Sequence, residues 1–230
     1  RSATARGDGR EVRLHNFSRS PQGLLFDIDG TLYDHPDYLE DQVLILIRRL
    51  ARELGREEEE MIAEVEQKRL DESESSGGRR PSLGTTFAAH YGIPVEVSVA
   101  WREELLNPEE YLVEDLELRD ALAGVSHLAL CAVTNNPISL GRRTLETLGV
   151  GDLIPVVSGL DIAGASKPDP RPFELALEFL ALPPAEILAI GDRYEIDLEP
   201  IVDLGGAGAL VEGRKDLLAL LEAVATDSLG

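Results

Sequence analysis

Apolar residues along this chain fall into two kinds of pattern. Five short runs, at residues 24–27, 128–134, 156–158, 187–191 and 208–211, are almost continuous in apolar or small residues and break off at polar ones. Runs of this length without polar alternation predict strands buried on both faces of a sheet. Helical spacing fills the intervals. The segment 139–148 stops at Gly149, and 170–180 opens on prolines and ends before Pro183-Pro184. The segment 197–204 stops at Gly205-Gly206, and 214–225 carries a last helical pattern. Proline at the start and glycine past the end are ordinary helix boundaries. Strands alternating with such helices predict an α/β domain with a parallel sheet, here residues 22–33 and 117–230.

Between residues 34 and 116 the pattern becomes wholly helical. Val43, Leu44, Ile47, Leu50 and Leu54 recur at helical spacing over 41–54, with Gly55 as the stop. The segment 57–70 keeps Met61, Ile62 and Val65 on one side, and its Glu57–Glu60 acids suit a solvated first turn. A Ser/Gly/Arg-rich loop is expected at 71–84, then helices at 85–91 and 95–106. The insert reads as an all-helical cap of residues 34–116, placed after the first strand of the core. Residues 1–21 are polar and read as an N-terminal tail.

Composition narrows the function classes. A formal net charge of -21 over 230 residues argues against nucleic acid as a partner, which calls for a basic footprint. No apolar stretch approaches the roughly 20 residues that span a bilayer, and no basic-then-apolar leader opens the sequence. The first residue is Arg1 rather than Met, so a trimmed start is expected. The single cysteine, Cys131, sits in an apolar run and fits a reducing compartment, so a cytoplasmic location without membrane contact is expected. Of the basic residues 19 are Arg and only 3 are Lys, namely Lys68, Lys167 and Lys215. Strong acidity with little lysine fits adaptation to high salt, where screening relieves self-repulsion, although a GC-rich genome would also favour Arg over Lys.

Chemistry concentrates at the strand ends. The run 24–26 ends in Asp27-Ile28-Asp29-Gly30-Thr31, two carboxylates one residue apart at the carboxyl edge of a predicted strand. Ligands bind at that edge of open α/β sheets, and paired buried acids stay ionised only beside a cation or donors. The plainer reading is an Asp-Gly turn. The second run ends in Thr134-Asn135-Asn136, a hydroxyl and amides able to hold phosphate oxygens, or a simple turn before Pro137. Lys167 precedes Pro168-Asp169-Pro170 and is either a retained compact cation or a surface lysine. The fourth run ends in Gly191-Asp192, with Asp197 five residues on; a helix N-cap and a solvated helix position are the plainer readings.

Taken together and in order, Asp27-x-Asp29-Gly30-Thr31, Thr134, Lys167 and Gly191-Asp192 with Asp197 resemble the haloacid dehalogenase-like hydrolase superfamily. The resemblance covers residues 22–33 and 117–225. It implies a Rossmann-like core with an inserted C1-type helical cap. It also implies a phosphate-monoester hydrolase that uses Mg²⁺. Asp27 is then the nucleophile that becomes aspartyl-phosphate, and Asp29 the acid and base. Thr134 and the Asn135 backbone hold the phosphoryl group, and Lys167 neutralises it. The Mg²⁺ ligands implied are the Asp27 carboxylate, the Asp29 backbone carbonyl and Asp192, with Asp197 in support.

Within the family, the second aspartate sets this chain apart from the dehalogenases and phosphonatases, which lack it. Tyr33 in Asp-Ile-Asp-Gly-Thr-Leu-Tyr is similar to the pyrimidine 5′-nucleotidase branch, making a nucleoside monophosphate one expected substrate. Phosphoglycolate or a sugar phosphate is the alternative within the class. A non-catalytic phosphate- or partner-binding protein is the alternative outside it. In the cap, Arg79-Arg80 and His90-Tyr91 either meet a second anionic group or base, or are solvated arginines and a packed aromatic. Oligomeric state is not legible.

Overall fold

A computed structural model describes residues 2–7, 10–76 and 80–229. Arg79, a candidate above, lies outside them. The strands are β1 (Ser2–Gly7), β2 (Arg10–His15), β3 (Gly23–Phe26), β4 (Ala129–Val133), β5 (Val156–Ser158), β6 (Ile187–Gly191) and β7 (Ala207–Leu210). They form one sheet in the order β1-β2-β7-β6-β3-β4-β5. Strands β3 to β7 pair in parallel, and only β1 and β2 run antiparallel to their neighbours. From β3 the chain moves outward to β4 and β5, then returns to β6 on the other side of β3. That reversal opens a crevice at the carboxyl ends of the central strands.

Both faces of the sheet are covered, as the continuous apolar runs require. Leu24, Phe26, Leu130, Ala132, Leu188 and Ile190 share one buried cluster, while Leu25, Cys131, Val133, Ile187 and Ala189 belong to another. The period of two along each strand sends alternate side chains to opposite faces. The covering helices are α5 (Leu116–Gly124), α6 (Ile138–Thr147), α7 (Leu160–Ala163), α8 (Arg171–Leu180), α9 (Glu199–Asp203) and α10 (Arg214–Ala225).

The insert after β3 holds α1 (Pro36–Leu54), α2 (Glu58–Ser75), α3 (Leu83–Tyr91) and α4 (Val95–Leu105). It has its own apolar centre, with Ile47, Leu50, Met61, Val65, Phe87 and Trp101 buried together, and Leu140 of α6 joins that cluster from the core side. The chain is thus an α/β core with a helical cap. Among the described residues no helix is long and apolar enough to cross a membrane.

Two sequence expectations need correction. The polar N-terminal tail of residues 1–21 is instead largely a hairpin on the sheet edge, with β2 pairing antiparallel to β7 from Arg13↔Leu210 to His15↔Gly208. Val12 and Leu14 are buried while Arg13 is exposed, a half-buried alternation too short to stand out between polar neighbours. The loop expected at 71–84 is also shorter. Helix α2 continues to Ser75, supported by Gln67 donating to Asp71 at 2.7 Å, and Ser82 starts α3 by accepting the Thr85 N–H at 3.2 Å.

Candidate active site

The sheet brings the four motifs to one place. Asp27 follows β3 directly, and its N–H donates to Ile190 O of β6 at 2.9 Å, the last rung of the ladder. Thr134 follows β4, Asp192 follows β6, and Asp197 lies in the π-type turn Tyr194–Leu198 before α9. Lys167 reaches in from the loop after α7 and is 2% exposed. Its Nζ donates to Asp27 Oδ1 at 2.5 Å and to Asp197 Oδ1 at 2.7 Å. Asn135 anchors that loop in both directions, accepting the Lys167 N–H at 2.7 Å and donating to Lys167 O at 3.3 Å. A surface lysine is thereby excluded.

The charges in this cluster do not balance. Asp27, Asp192 and Asp197 can each offer an oxygen within 4.8 Å of the others, against the cations Lys167 and Arg193. Burial pushes the Asp27 carboxyl up and Asp197 adds to this, against the pull of Lys167. Burial also works against charge on Lys167, but Asp197 and Asp27 outweigh it and hold the ammonium above its ordinary range. Asp197 suffers the same desolvation yet is held low by Lys167 and Arg193. Asp197 thus holds Lys167 Nζ through Oδ1, while its Oδ2 accepts the Arg193 N–H at 3.2 Å.

One carboxylate oxygen is left over. Among the described residues Asp192 Oδ1 is buried without a hydrogen-bond partner, and Arg193 Nε, 3.3 Å away, pairs with its charge but misses hydrogen-bond geometry. A buried charged oxygen without a hydrogen bond is costly, and with three carboxylates against two cations this points to a further cation. Gly30 adds a second sign. Its φ of 91° suits glycine, and a Cβ there would stand 2.9 Å from Asp192 Oδ2. The all-oxygen donor set fits a hard divalent cation such as Mg²⁺.

Asp29 lies apart from that cluster and is held by donors. Tyr33 Oη donates to its Oδ1 at 2.5 Å and Gln42 Nε2 to the same oxygen at 2.9 Å, while Asn136 Nδ2 reaches Oδ2 at 3.0 Å. Thr134 Oγ1 stands 3.5 Å from Oδ2. The donors also bond one another, Gln42 Nε2 to Tyr33 Oη at 2.9 Å and Asn136 Nδ2 to Gln42 Oε1 at 3.0 Å. Gln42 belongs to α1, so the cap takes part in holding Asp29. A cavity of about 310 Å³ between cap and core is lined by Asp29, Gln42, Asn135, Asn136, Asp192 and Arg102, among others. It adjoins one of about 710 Å³ that shares Val43, Arg69, Ser82, Asn135 and Arg193.

The sequence profile of the haloacid dehalogenase-like hydrolases matches residues 21–205, which takes in every one of these groups. The chain belongs to the haloacid dehalogenase-like hydrolases. It is 29% identical over 197 residues to an N-acetylmuramic acid 6-phosphate phosphatase of Pseudomonas aeruginosa, covering 83% of this chain and 81% of the relative. It is 27% identical over 178 residues to a phosphoglycolate phosphatase of Aquifex aeolicus, covering 76% and 78%. The fold is shared with a crystal structure of a haloacid dehalogenase-type phosphatase from Thermococcus onnurineus, with a TM-score of 0.55 and 23% identity over 80% of this chain and 83% of that one.

In this haloacid dehalogenase-like hydrolase the second-anion candidates in the cap fare unevenly. Tyr91 donates to Glu64 at 3.0 Å, and His90 pairs with Glu72, so both are tied within the cap. Arg80 lines the larger cavity but is paired with Glu66. Gln42, Arg102 and Arg193 were not candidates in the sequence, and Asn136 was one only as the last residue of Thr134-Asn135-Asn136, the phosphate-holding segment or turn. Asn136 and Arg193 each follow a motif residue directly, a weak signal. Nothing in the linear pattern marks Gln42 or Arg102.

Proposed function

We propose that this chain is a Mg²⁺-dependent phosphate-monoester hydrolase working through an aspartyl-phosphate at Asp27 on a small phosphorylated metabolite. The observation that carries the reading is the separation of roles at the end of β3. Asp27 is locked between Lys167 and Thr31, which donates to Asp27 Oδ2 at 3.1 Å, while Asp29 sits two residues on among donors that fix its direction. Asp27 and Asp192, with the Asp29 backbone carbonyl, would hold the cation, which when bound draws charge from the phosphoryl oxygens.

The chain's own groups account for the rest. An oxygen of Asp27 attacks phosphorus as the ester P–O bond breaks, and Asp29 gives its proton to the departing oxygen. Asp29 then takes a proton from water as that water attacks phosphorus. The bond to Asp27 breaks, and phosphate leaves. Thr134 and Asn135 hold the phosphoryl oxygens, and Lys167 offsets their charge throughout.

For the substrate, the curated relatives support a sugar phosphate or phosphoglycolate over a nucleoside monophosphate. Tyr33, the residue that suggested a nucleotide, spends its hydroxyl on Asp29. The test is phosphate release from a panel of sugar phosphates, phosphoglycolate and nucleoside monophosphates, for wild type and Asp27→Asn, with Mg²⁺ and with chelator. Release by wild type with Mg²⁺ alone is expected. Comparable release by Asp27→Asn would remove the aspartyl-phosphate route.

A further inference from the structure

Helix α4 delivers a cation to the cleft that the chemistry above does not use. Arg102 is 4% exposed, and its Nη1 donates to Ser98 O at 2.9 Å and to Ser98 Oγ. Both acceptors are neutral and lie on the same helix. Among the described residues no carboxylate is within ion-pair distance of Arg102. The other cleft arginines are matched, Arg69 and Arg80 with Glu66, and Arg193 with Asp192 and Asp197. An ion buried without a counter-ion is costly, so its charge is either a liability or a receptor for an anion. Burial pulls the Arg102 guanidinium down to about 10, still charged at neutral pH, with Asp29 pulling the other way.

Its position specifies the anion. Arg102 shares the smaller cavity with Asp29, Asn135 and Asp192, so a molecule whose phosphate sits at the core groups has its other end under α4. Gly84 lies beside both Ser98 and the guanidinium, and even a Cβ there would stand 3.7 Å from Ser98 Oγ and 3.9 Å from Arg102 Nη2, so the glycine leaves room next to Nη2. The nearby wall of Leu39, Val43 and Leu46 is apolar and offers no competing charge. One unmatched guanidinium whose Nε and Nη2 make no hydrogen bond among the described residues suits one planar monoanion, gripped through two N–H groups, better than a second phosphate dianion.

We propose that Arg102 is a specificity-determining residue that binds a substrate carboxylate, and that the substrates are phosphorylated hydroxy acids carrying phosphate and carboxylate on one short skeleton. This rests on the hydrolase reading for the phosphate end. The reaction itself is unchanged, with the carboxylate a spectator that orients the ester.

The test compares matched pairs on the full chain with Mg²⁺. Phosphoglycolate is set against 2-hydroxyethyl phosphate, and acids with progressively longer methylene spacers against their alcohols. In wild type, kcat/KM for the acid of at least one pair should exceed that of its neutral partner by about 30-fold or more, the scale of a buried charge pair. Arg102→Gln should collapse that ratio towards unity, mainly through KM, and Arg102→Lys should restore part of it. A wild-type ratio near unity in every pair overturns the proposal, and so does an Arg102→Gln loss equal for both members. The wild-type comparison decides even if the variants do not fold. Calorimetric binding of 3-phosphonopropionate against propylphosphonate reads the same preference without turnover. Preference for the acid in wild type, lost in Arg102→Gln, upholds the carboxylate site even where no ester is hydrolysed, a result that would remove only the hydrolase reading. Equal binding of both overturns the site.

Discussion

Gln42 connects the cap to Asp29, the proposed acid–base carboxylate, and its removal has a distinctive kinetic consequence. Its amide donates to Asp29 Oδ1 and to Tyr33 Oη, both at 2.9 Å, and accepts from Asn136 at 3.0 Å. Gln42→Leu keeps the bulk of the side chain and deletes all three contacts. Asp29 Oδ1 is then held by Tyr33 alone, and the Asn136 side-chain amide keeps only its bond to Oδ2. A hydrogen bond to a charged group is worth about 1.5–3 kcal/mol net, so loss of orientation on this scale lowers kcat/KM about 10- to 150-fold. The fall should depend on the leaving group. An alkoxide needs the proton from Asp29, whereas 4-nitrophenolate departs without one. The assay is kcat/KM for an alkyl phosphate and for 4-nitrophenyl phosphate, with Asp29→Asn as the limiting case and thermal melting to show that the fold is kept. A large loss on the alkyl ester with a small loss on the aryl ester is expected. Equal losses, or none on the alkyl ester, would refute the role given to Gln42.

Three further outcomes follow from other parts of the molecule. Asp115 caps α5 by accepting the Leu118 N–H at 3.0 Å and takes Arg214 through both oxygens, at 2.6 and 2.7 Å, and these bonds hold its carboxyl below the usual range. Its stabilisation is therefore full above the unfolded value of about 3.9 and fades as pH falls through the lowered folded one, so Asp115→Asn should cost about 1–2 kcal/mol at neutral pH and progressively less below about pH 4; a urea-midpoint difference that stays constant down to about pH 3 would contradict this. Cys131 is fully buried, and burial pushes its thiol up to about 12, so a thiol reagent should label it only after unfolding. With a net charge of -21, the melting temperature should rise between low and molar KCl, and a flat or falling curve would count against self-repulsion as a main source of instability.

How much was legible in the sequence depends on whether a residue's role is set along the chain or across it. Asp27, Thr134 and Asp192 each follow a continuous apolar run, so the sheet that the runs predict also predicts where those side chains emerge. Lys167 was legible through its order among the motifs, and its burial between Asp27 and Asp197 needed the fold. The edge hairpin was hidden because Val12 and Leu14 offer only one period of alternation, and pairing with β7 supplies the rest of the signal. Gln42 was out of reach for a stronger reason. Its partner Asn136 lies 94 positions away, and the contact exists only where cap helix α1 lies over the end of β4. Arg102 reads in sequence as one more charge on a cap helix, and only burial without a counter-ion sets it apart.

The charge distribution joins these parts. The chain as a whole is strongly acidic, and the cavities between cap and core set Lys167, Arg69, Arg80, Arg102 and Arg193 among the acids Asp29, Glu40, Glu66, Asp192 and Glu195; of these cations Arg102 alone has no ion pair among the described residues. A doubly or triply charged phosphate ester is repelled by the outer surface and meets Arg102, unmatched by an acid, only once it enters the seam. Salt affects those two fields unequally. Molar salt shortens the Debye length to about 3 Å, which quenches repulsion between exposed charges but barely reaches buried contacts such as Lys167 with Asp27. The screening that should raise the melting temperature would thus also ease the approach of an anionic substrate, leaving the contacts inside the cleft intact. Surface acidity and anion binding in the seam are compatible because they act at different distances, with the buried, unmatched Arg102 acting at contact range.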